Sequence, residues 1–322
     1  MKSNITQTTA IGTVAKSLPQ NKVILLTHLI SNSYIPYADL HKFFGIGWLY
    51  RIFLIRLCDV FRKFAGEFTD MAKRKTREKE AYKQYLERTG FGEAPITAAL
   101  IDMDGVLYDS MKNHTKAWIR LSEELGWNYS PDEFYLYEGM TGAAIIRLMM
   151  KRETGRDDVS DEEAKEIYAK KAEYFRELGN VDKIEGADMM LATLRSAGIK
   201  RVLVTGSGQH SLLDRLNADY PGIFSEDLKV TALDVKRGKP DPEPYLMGLE
   251  KAGVKAENAI VIENAPLGVK AGNASGCFTV GITTGPVPED VMMENGADIV
   301  YPTMTAFADA LTDIIAARNY SF

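Results

Sequence analysis

From Ile96 onward the chain alternates short apolar runs with amphipathic ones, and this rhythm restricts the fold more than any other feature of the sequence. The runs at 96–101, 201–204, 259–262, 278–282 and 298–301 have the length of buried strands. Between the later ones, 188–197, 243–252 and 287–295 carry helical spacing. Parallel strands need a crossover connection, and crossover helices cover both faces of the sheet. The expected fold class is therefore α/β, a Rossmann-like doubly wound parallel sheet. Residues 110–185 interrupt the rhythm with helical patterns at 111–125, 141–153 and 161–178 and no strand. They are read as an all-helical insert, a cap on the sheet. This divides the chain into an extension at 1–95, a core at 96–109 and 186–322, and a cap at 110–185.

Composition narrows the possibilities. A chain of 322 residues with 45% hydrophobic and 26% charged residues is ordinary for a globular protein of about two domains. Its net charge of −5 argues against a nucleic-acid partner, which needs a basic face. Cys58 and Cys277 lie far apart, and His28, His41, His114 and His210 are scattered, so no zinc-ligand spacing occurs. A reduced, cytoplasmic setting is expected.

The segment from Lys42 to Phe64 is rich in Phe, Ile, Leu and Trp, but Arg51 and Arg56 interrupt it, so a membrane-spanning helix is not expected. Residues 43–64 leave three readings: an interfacial helix touching a membrane surface, a helix packed on a partner, or a segment with no selected role. The last is preferred, with Met71 as the start of the enzyme proper, since everything after Pro95 reads as complete. A charged helical stretch, Ala72–Arg88, follows and is stopped by Gly90, Gly92 and Pro95.

The first strand ends in Asp102-Met103-Asp104-Gly105-Val106. Ligands of open parallel sheets bind beyond the carboxyl ends of the strands. Two carboxylates spaced i and i+2 there point the same way while the chain stays extended, and Gly105 lets it turn sharply. A calcium loop uses a similar DxD start, but Val106 occupies its fifth position and no glutamate stands at the twelfth. The second strand ends in Thr205-Gly206-Ser207-Gly208. Read as more than a plain strand-to-helix turn, its hydroxyl and amides make a phosphate cradle. Lys239 sits beside a proline-stiffened turn in Gly238-Lys239-Pro240-Asp241-Pro242, where a surface lysine is the bland reading. The strand at 259–262 delivers Glu263-Asn264, an acid and an amide suited as oxygen ligands of Mg²⁺.

In this order the four elements resemble the haloacid dehalogenase (HAD) superfamily, over residues 96 to about 285. The insert, with Asp109-Ser110-Met111-Lys112-Asn113-His114 after the first motif, resembles the cap of its β-phosphoglucomutase-like branch. EGMTG (138–142), VTGSGQ (204–209), DRLN (214–217), GKPDPEPYLM (238–247) and VIENAPLGVKAG (261–272) look closest to bacterial members that hydrolyse inorganic pyrophosphate.

The resemblance implies that Asp102 is a nucleophile that becomes phosphorylated and that Asp104 is the acid and base. Thr205 and the amides of Gly206 and Ser207 would hold the phosphoryl group, and Lys239 would offset its charge. Mg²⁺ would be held by Asp102, the main-chain carbonyl of Asp104 and Glu263, with Asn264 nearby. Asn264 departs from the family's commoner second acid, so the site loses one negative charge; Glu138 from the cap would restore it. His114 and Lys171 fall where the branch places cap residues facing the site, although Lys171 shares a charge-rich helix with Lys165 and Lys170. Trp118, Met149 and Met150 read as cap core. The expected partner is a small phosphorylated molecule, pyrophosphate first. A sugar phosphate, handled by a phosphatase or a β-phosphoglucomutase, comes second, and a catalytically silent binding protein on the same scaffold third.

If the enzyme starts at Met71, a chain beginning there should be soluble, folded and as active as the full chain. Phosphate release compared between the two forms checks this; loss of folding or activity would show that residues 1–70 are needed.

Overall fold

The computed structural model describes Lys63 and residues 74–207 and 210–319. It separates into two compact units, Met1–Lys75 and Thr76–Phe322. The apolar segment 43–64 and Met71 lie outside the described residues, apart from Lys63. Among the described residues, no helix is long and apolar enough to cross a membrane.

The second unit is built on six parallel strands. These are β1 (Ala98–Ile101), β2 (Lys200–Val204), β3 (Lys229–Val230), β4 (Ala259–Glu263), β5 (Phe278–Ile282) and β6 (Ile299–Tyr301). They lie in the order β3-β2-β1-β4-β5-β6, the order of a Rossmann-like sheet. The expected α/β class is what the chain adopts. β3, only two residues long, has no legible sequence pattern and was not expected.

Alternation along the strands builds two apolar layers. Ala99 and Ile101 of β1, with Leu203, Ile260 and Ile262, face Leu194 of α6 (Ala187–Ser196) and Phe307 and Leu311 of α11 (Met304–Asn319). Ala98, Leu100, Val202, Val204 and Val261 face the other way, onto Tyr245 and Leu249 of α8 (Glu243–Ala252). A sheet buried on both faces needs near-continuous apolar strands, and that is why these runs were legible.

Between β1 and α6 come α2 (Met111–Glu124), α3 (Pro131–Leu136), α4 (Gly142–Thr154) and α5 (Asp161–Glu177). They bury a layer of their own, in which Trp118, Phe134, Ile146, Met149 and Met150 meet. Thr141 caps α4 by accepting from the Ala144 amide, and Gly155, at φ 73°, ends it in the left-handed conformation. Ser160 caps α5 in the same way, through the Glu163 amide.

One helix of the stretch read as an extension packs with the sheet. The segment 74–89, α1, reads as a polar extension, yet from Thr76 on it belongs to the same unit as the sheet. Tyr85 is fully buried, with its ring edge-on to Phe278 at 5.4 Å and its hydroxyl donating to the Gly276 carbonyl. Tyr301, at the end of β6, donates to the buried carboxylate of Glu78 at 3.0 Å. The stripe of Ala81, Tyr82 and Tyr85 is too narrow to stand out among the nine charges of residues 74–89 on the sequence alone.

Tyr85→Ala should therefore cost ~3–5 kcal/mol, the usual range for deleting a large buried aromatic side chain. Urea denaturation of the two proteins measures it. A loss below about 1 kcal/mol would mean that α1 is an ornament rather than part of the core.

Candidate active site

Strand order reverses between β1 and β4, and a crevice opens there at the carboxyl ends of the strands. Ile101 is in register with Leu203 on one side and Ile262 on the other. The next residues, Asp102, Thr205 and Glu263-Asn264, therefore arrive together. The Asp102 amide still donates to Ile262 as though the strand continued. Gly105 then turns the chain at φ 75°, and a Cβ there would lie 1.9 Å from the Asn264 amide nitrogen. Only glycine fits both conditions.

Lys239 is the hub. Its ammonium, 2% exposed, donates to Asp102 Oδ1 at 2.5 Å, Glu263 Oε1 at 2.5 Å and the Val204 carbonyl at 3.1 Å. Three protons meet three acceptors, so the ion is fully hydrogen-bonded. Burial alone would lower its pKa, but the two carboxylates outweigh burial and hold it above the ordinary lysine value. A solvated surface lysine is excluded.

Glu263, expected as a metal ligand, is held here by four donors. Oε1 accepts from Lys239 and from Tyr245 at 2.6 Å, while Oε2 accepts from the Asn264 and Ala265 amides. Every direction is taken by a donor, so this carboxylate orients Lys239. Asn264 holds the better position for a ligand. It is 3% exposed, its Nδ2 donates to Glu138 Oε1 at 2.7 Å, and its buried Oδ1 has no hydrogen-bond partner.

That orphaned acceptor is one of two observations that fit a divalent cation. The other is crowding. Burial, then the charges of Glu263 and Asp104, push Asp102 well above the usual carboxylate range against the pull of Lys239. Burial, then Asp102, Glu263 and Asp104, do the same to Glu138, opposed only by its bond to Asn264. A cation among these oxygens would relieve both. Among the described residues no three His, Cys, Asp or Glu side chains form a metal cluster by themselves. The fitting set is mixed: carboxylates, an amide oxygen and a main-chain carbonyl, the oxygen ligands that Mg²⁺ takes.

Asp104 is tied to the helical insert. Its Oδ1 accepts from Ser110 Oγ at 2.5 Å and meets His114 Nε2 at 3.1 Å. His114 Nδ1 faces Lys171 Nζ at 2.5 Å. An ammonium donating into Nδ1 leaves the imidazole proton on Nε2, where it points at Asp104. Burial raises Asp104, but His114 and Ser110 outweigh it and hold the carboxyl below its ordinary range. Burial, then Lys171, lower His114. Lys171 is 1% exposed, close to the rings of Trp118 and Phe175, and its pKa is lowered to about 7 by burial. The alternative of a solvated helix face is excluded for Lys171.

In the cradle, Ser207 donates its amide to Thr205 Oγ1 at 3.0 Å. That amide was expected to face the phosphoryl group. Here it orients the threonine, whose own O–H stays available to give. Residues 208–209 lie outside the described residues.

All the expected site residues thus converge, with Glu263 turned toward Lys239. Two partners were missed. Ser110 and Tyr245 stand inside motifs that were read, but neither carries a charge or spacing that singles it out.

A buried carboxylate paired with a buried lysine, a second carboxyl two residues on, and helices set beside a parallel sheet thus meet at the switch point. The chain belongs to the haloacid dehalogenase-like hydrolase family, whose model matches residues 96–276. It is an enzyme, a phosphohydrolase of that family. A candidate beta-phosphoglucomutase of solved structure from Bacteroides vulgatus is similar to it at 43% identity and TM-score 0.73, covering 76% of this chain and 100% of that one. Among curated proteins, hexitol phosphatase A of Escherichia coli is 29% identical over 62% of this chain and 88% of its own length. A phosphorylated carbohydrates phosphatase of Thermotoga maritima is 32% identical over 56% of this chain and 82% of its own. None of these three is named for pyrophosphate, so the likeness to pyrophosphate-hydrolysing members read from the motifs has no support from them.

Removing the hub has a signed consequence for stability. In Lys239→Ala, Asp102 stays buried without its counter-ion and its pKa rises further. A carboxyl raised in the fold stabilises fully only below its unfolded pKa, and that contribution is lost as pH climbs through the folded value. The variant should lose ~3–5 kcal/mol near neutral pH, as for a buried pair deprived of one partner. It should recover part of this as pH falls toward about 4, the ordinary carboxyl range. Urea denaturation across that range tests it; a deficit independent of pH would contradict the account.

Proposed function

We propose that the chain is a Mg²⁺-dependent phosphohydrolase that works through an aspartyl phosphate on Asp102, with inorganic pyrophosphate as its substrate. One Asp102 oxygen attacks phosphorus and the bridging P–O bond breaks. The leaving phosphate takes a proton from Asp104. Asp104 then draws a proton from water, which attacks the phosphorus and frees Asp102. The low pKa of Asp104 in the substrate-free site suits its second role; the charge of an incoming phosphate is what would raise it for the first. Lys239, Thr205 and the Gly206 amide offset charge on the transferring group. Asp102, Asn264 Oδ1 and the Asp104 carbonyl would hold Mg²⁺, with Glu138 beside them, and the ion supplies charge neutralisation at the phosphoryl oxygens. His114 and Lys171 hold Asp104 in place from residues 110–185, which act as the cap.

The observation that carries the substrate assignment is the seal made by Glu138. With its carboxylate on Asn264, the cavity among Asp102, Asp104, His114 and Lys171 is about 50 Å³. Its wall from residues 110–185 is mostly apolar, with Trp118, Phe134, Met140 and Ile145, and the hydroxyls it carries are those of Tyr137 and Tyr168. A compact polyanion bound with its cation suits this space better.

A second reading has the better support from the relatives' names. The curated relatives are named for phosphorylated carbohydrates and hexitols, and the solved relative for β-phosphoglucomutase. On that reading the cap opens wider around a hexose phosphate, and the enzyme is a sugar-phosphate phosphatase or a mutase.

A phosphate-release comparison separates the two. kcat/KM for magnesium pyrophosphate should exceed that for glucose phosphates by at least about tenfold, ~1.4 kcal/mol of discrimination. Glu138→Ala should weaken pyrophosphate turnover in a folded protein, and Asp102→Asn should lower kcat by several orders of magnitude. A wild type that prefers a hexose phosphate would establish the second reading.

A further inference from the structure

The loop 138–141 meets the sheet where side chains are missing. A Cβ on Gly206 would lie 2.5 Å from the Gly139 carbonyl oxygen and 3.1 Å from that of Met140. A Cβ on Gly238 would lie 2.7 Å from Thr141 Cγ2 and 3.2 Å from the Thr141 amide. One on Gly139 would lie 3.1 Å from Lys239 Cδ. Backbone thus rests on backbone along a seam that ends at Glu138, three residues before Thr141. Thr141 also caps α4, so its position is transmitted to a 13-residue helix lining the cavity.

We propose that Thr141 seated on Gly238 is a specificity-determining contact. It sets how far the cap descends, and so whether Glu138 reaches Asn264 and how large a leaving group fits. The proposal rests on the phosphohydrolase reading of the site. Neither residue touches the reacting atoms; both act by positioning Glu138. Gly238 has no left-handed backbone angle, so alanine costs it no strain. In an opened cap, alanine should even stabilise slightly by restricting the unfolded chain. The added methyl therefore opposes closure and not folding. Thr141→Ser removes the opposing methyl while keeping the hydroxyl that caps α4.

The test compares wild type, Gly238→Ala, Thr141→Ser and the double variant by kinetics and by amide exchange of the 138–145 segment. Gly238→Ala should keep an unchanged or raised Tm and speed exchange in that segment. It should also shift the ratio of pyrophosphate to hexose-phosphate kcat/KM toward the hexose by about tenfold. The double variant should return both readouts to within about threefold of wild type, since contacting residues couple. A Gly238→Ala protein that fails to fold, one that matches wild type in both readouts, or a double variant that restores neither would overturn the seat. Should the wild type release phosphate from neither substrate, the functional reading fails, while the exchange measurement still judges the contact.

Discussion

The ammonium of Lys239 bonds to three strands' ends at once: Asp102 after β1, Val204 of β2 and Glu263 of β4. Without it, carboxylates would converge in a buried crevice with no counter-charge, a cost of several kcal/mol that no apolar packing nearby could offset. The lysine, in turn, is held. Tyr245 and two backbone amides fix Glu263, so the third acceptor cannot swing away. The same ion pair that makes the crevice tolerable holds one Asp102 oxygen, and in the proposed mechanism the other attacks. Stability and reactivity draw on one arrangement.

Charge also links the helices of residues 110–185, the proposed cap, to the sheet. Asp104 is bound from the cap through His114 and Lys171, and Glu138 crosses from the cap to Asn264. The first contact lowers a pKa and the second meets a carboxyl that burial has raised. The two halves of the site are therefore poised oppositely: one carboxylate is held ionised, the other is short of a cation. An Mg²⁺ ion arriving with an anionic substrate would answer the second need, and this is why closure and substrate charge belong to one account.

Much of this was legible in the sequence, for physical reasons that differ by element. Buried parallel strands must be apolar throughout, so β1, β2, β4, β5 and β6 stood out, whereas β3, with two residues, could not. The site's charged residues were legible because strand ends gather at a switch point and the motifs keep their order. Orientation was not. Glu263 and Asn264 are adjacent, and only the directions of four donors showed which of them faces inward and which binds Lys239. Helix α1 was legible as a charged helix, but its packing on the core was not, because three apolar positions among charges look like a solvated face. Thr141 and Gly238 were beyond reach for another reason: a contact defined by an absent side chain leaves no mark in composition or spacing.

The central claim is that Asp102 carries the phosphoryl group during turnover. Acid quenching of the enzyme in the steady state with a radiolabelled substrate, followed by digestion and mass spectrometry, tests it most directly. The account predicts label on the peptide containing Asp102, acid-stable and alkali-labile as an acyl phosphate is, and none in Asp102→Asn. A wild type that turns over while its Asp102 peptide stays unlabelled, or an Asp102→Asn variant with near-native turnover, would contradict it.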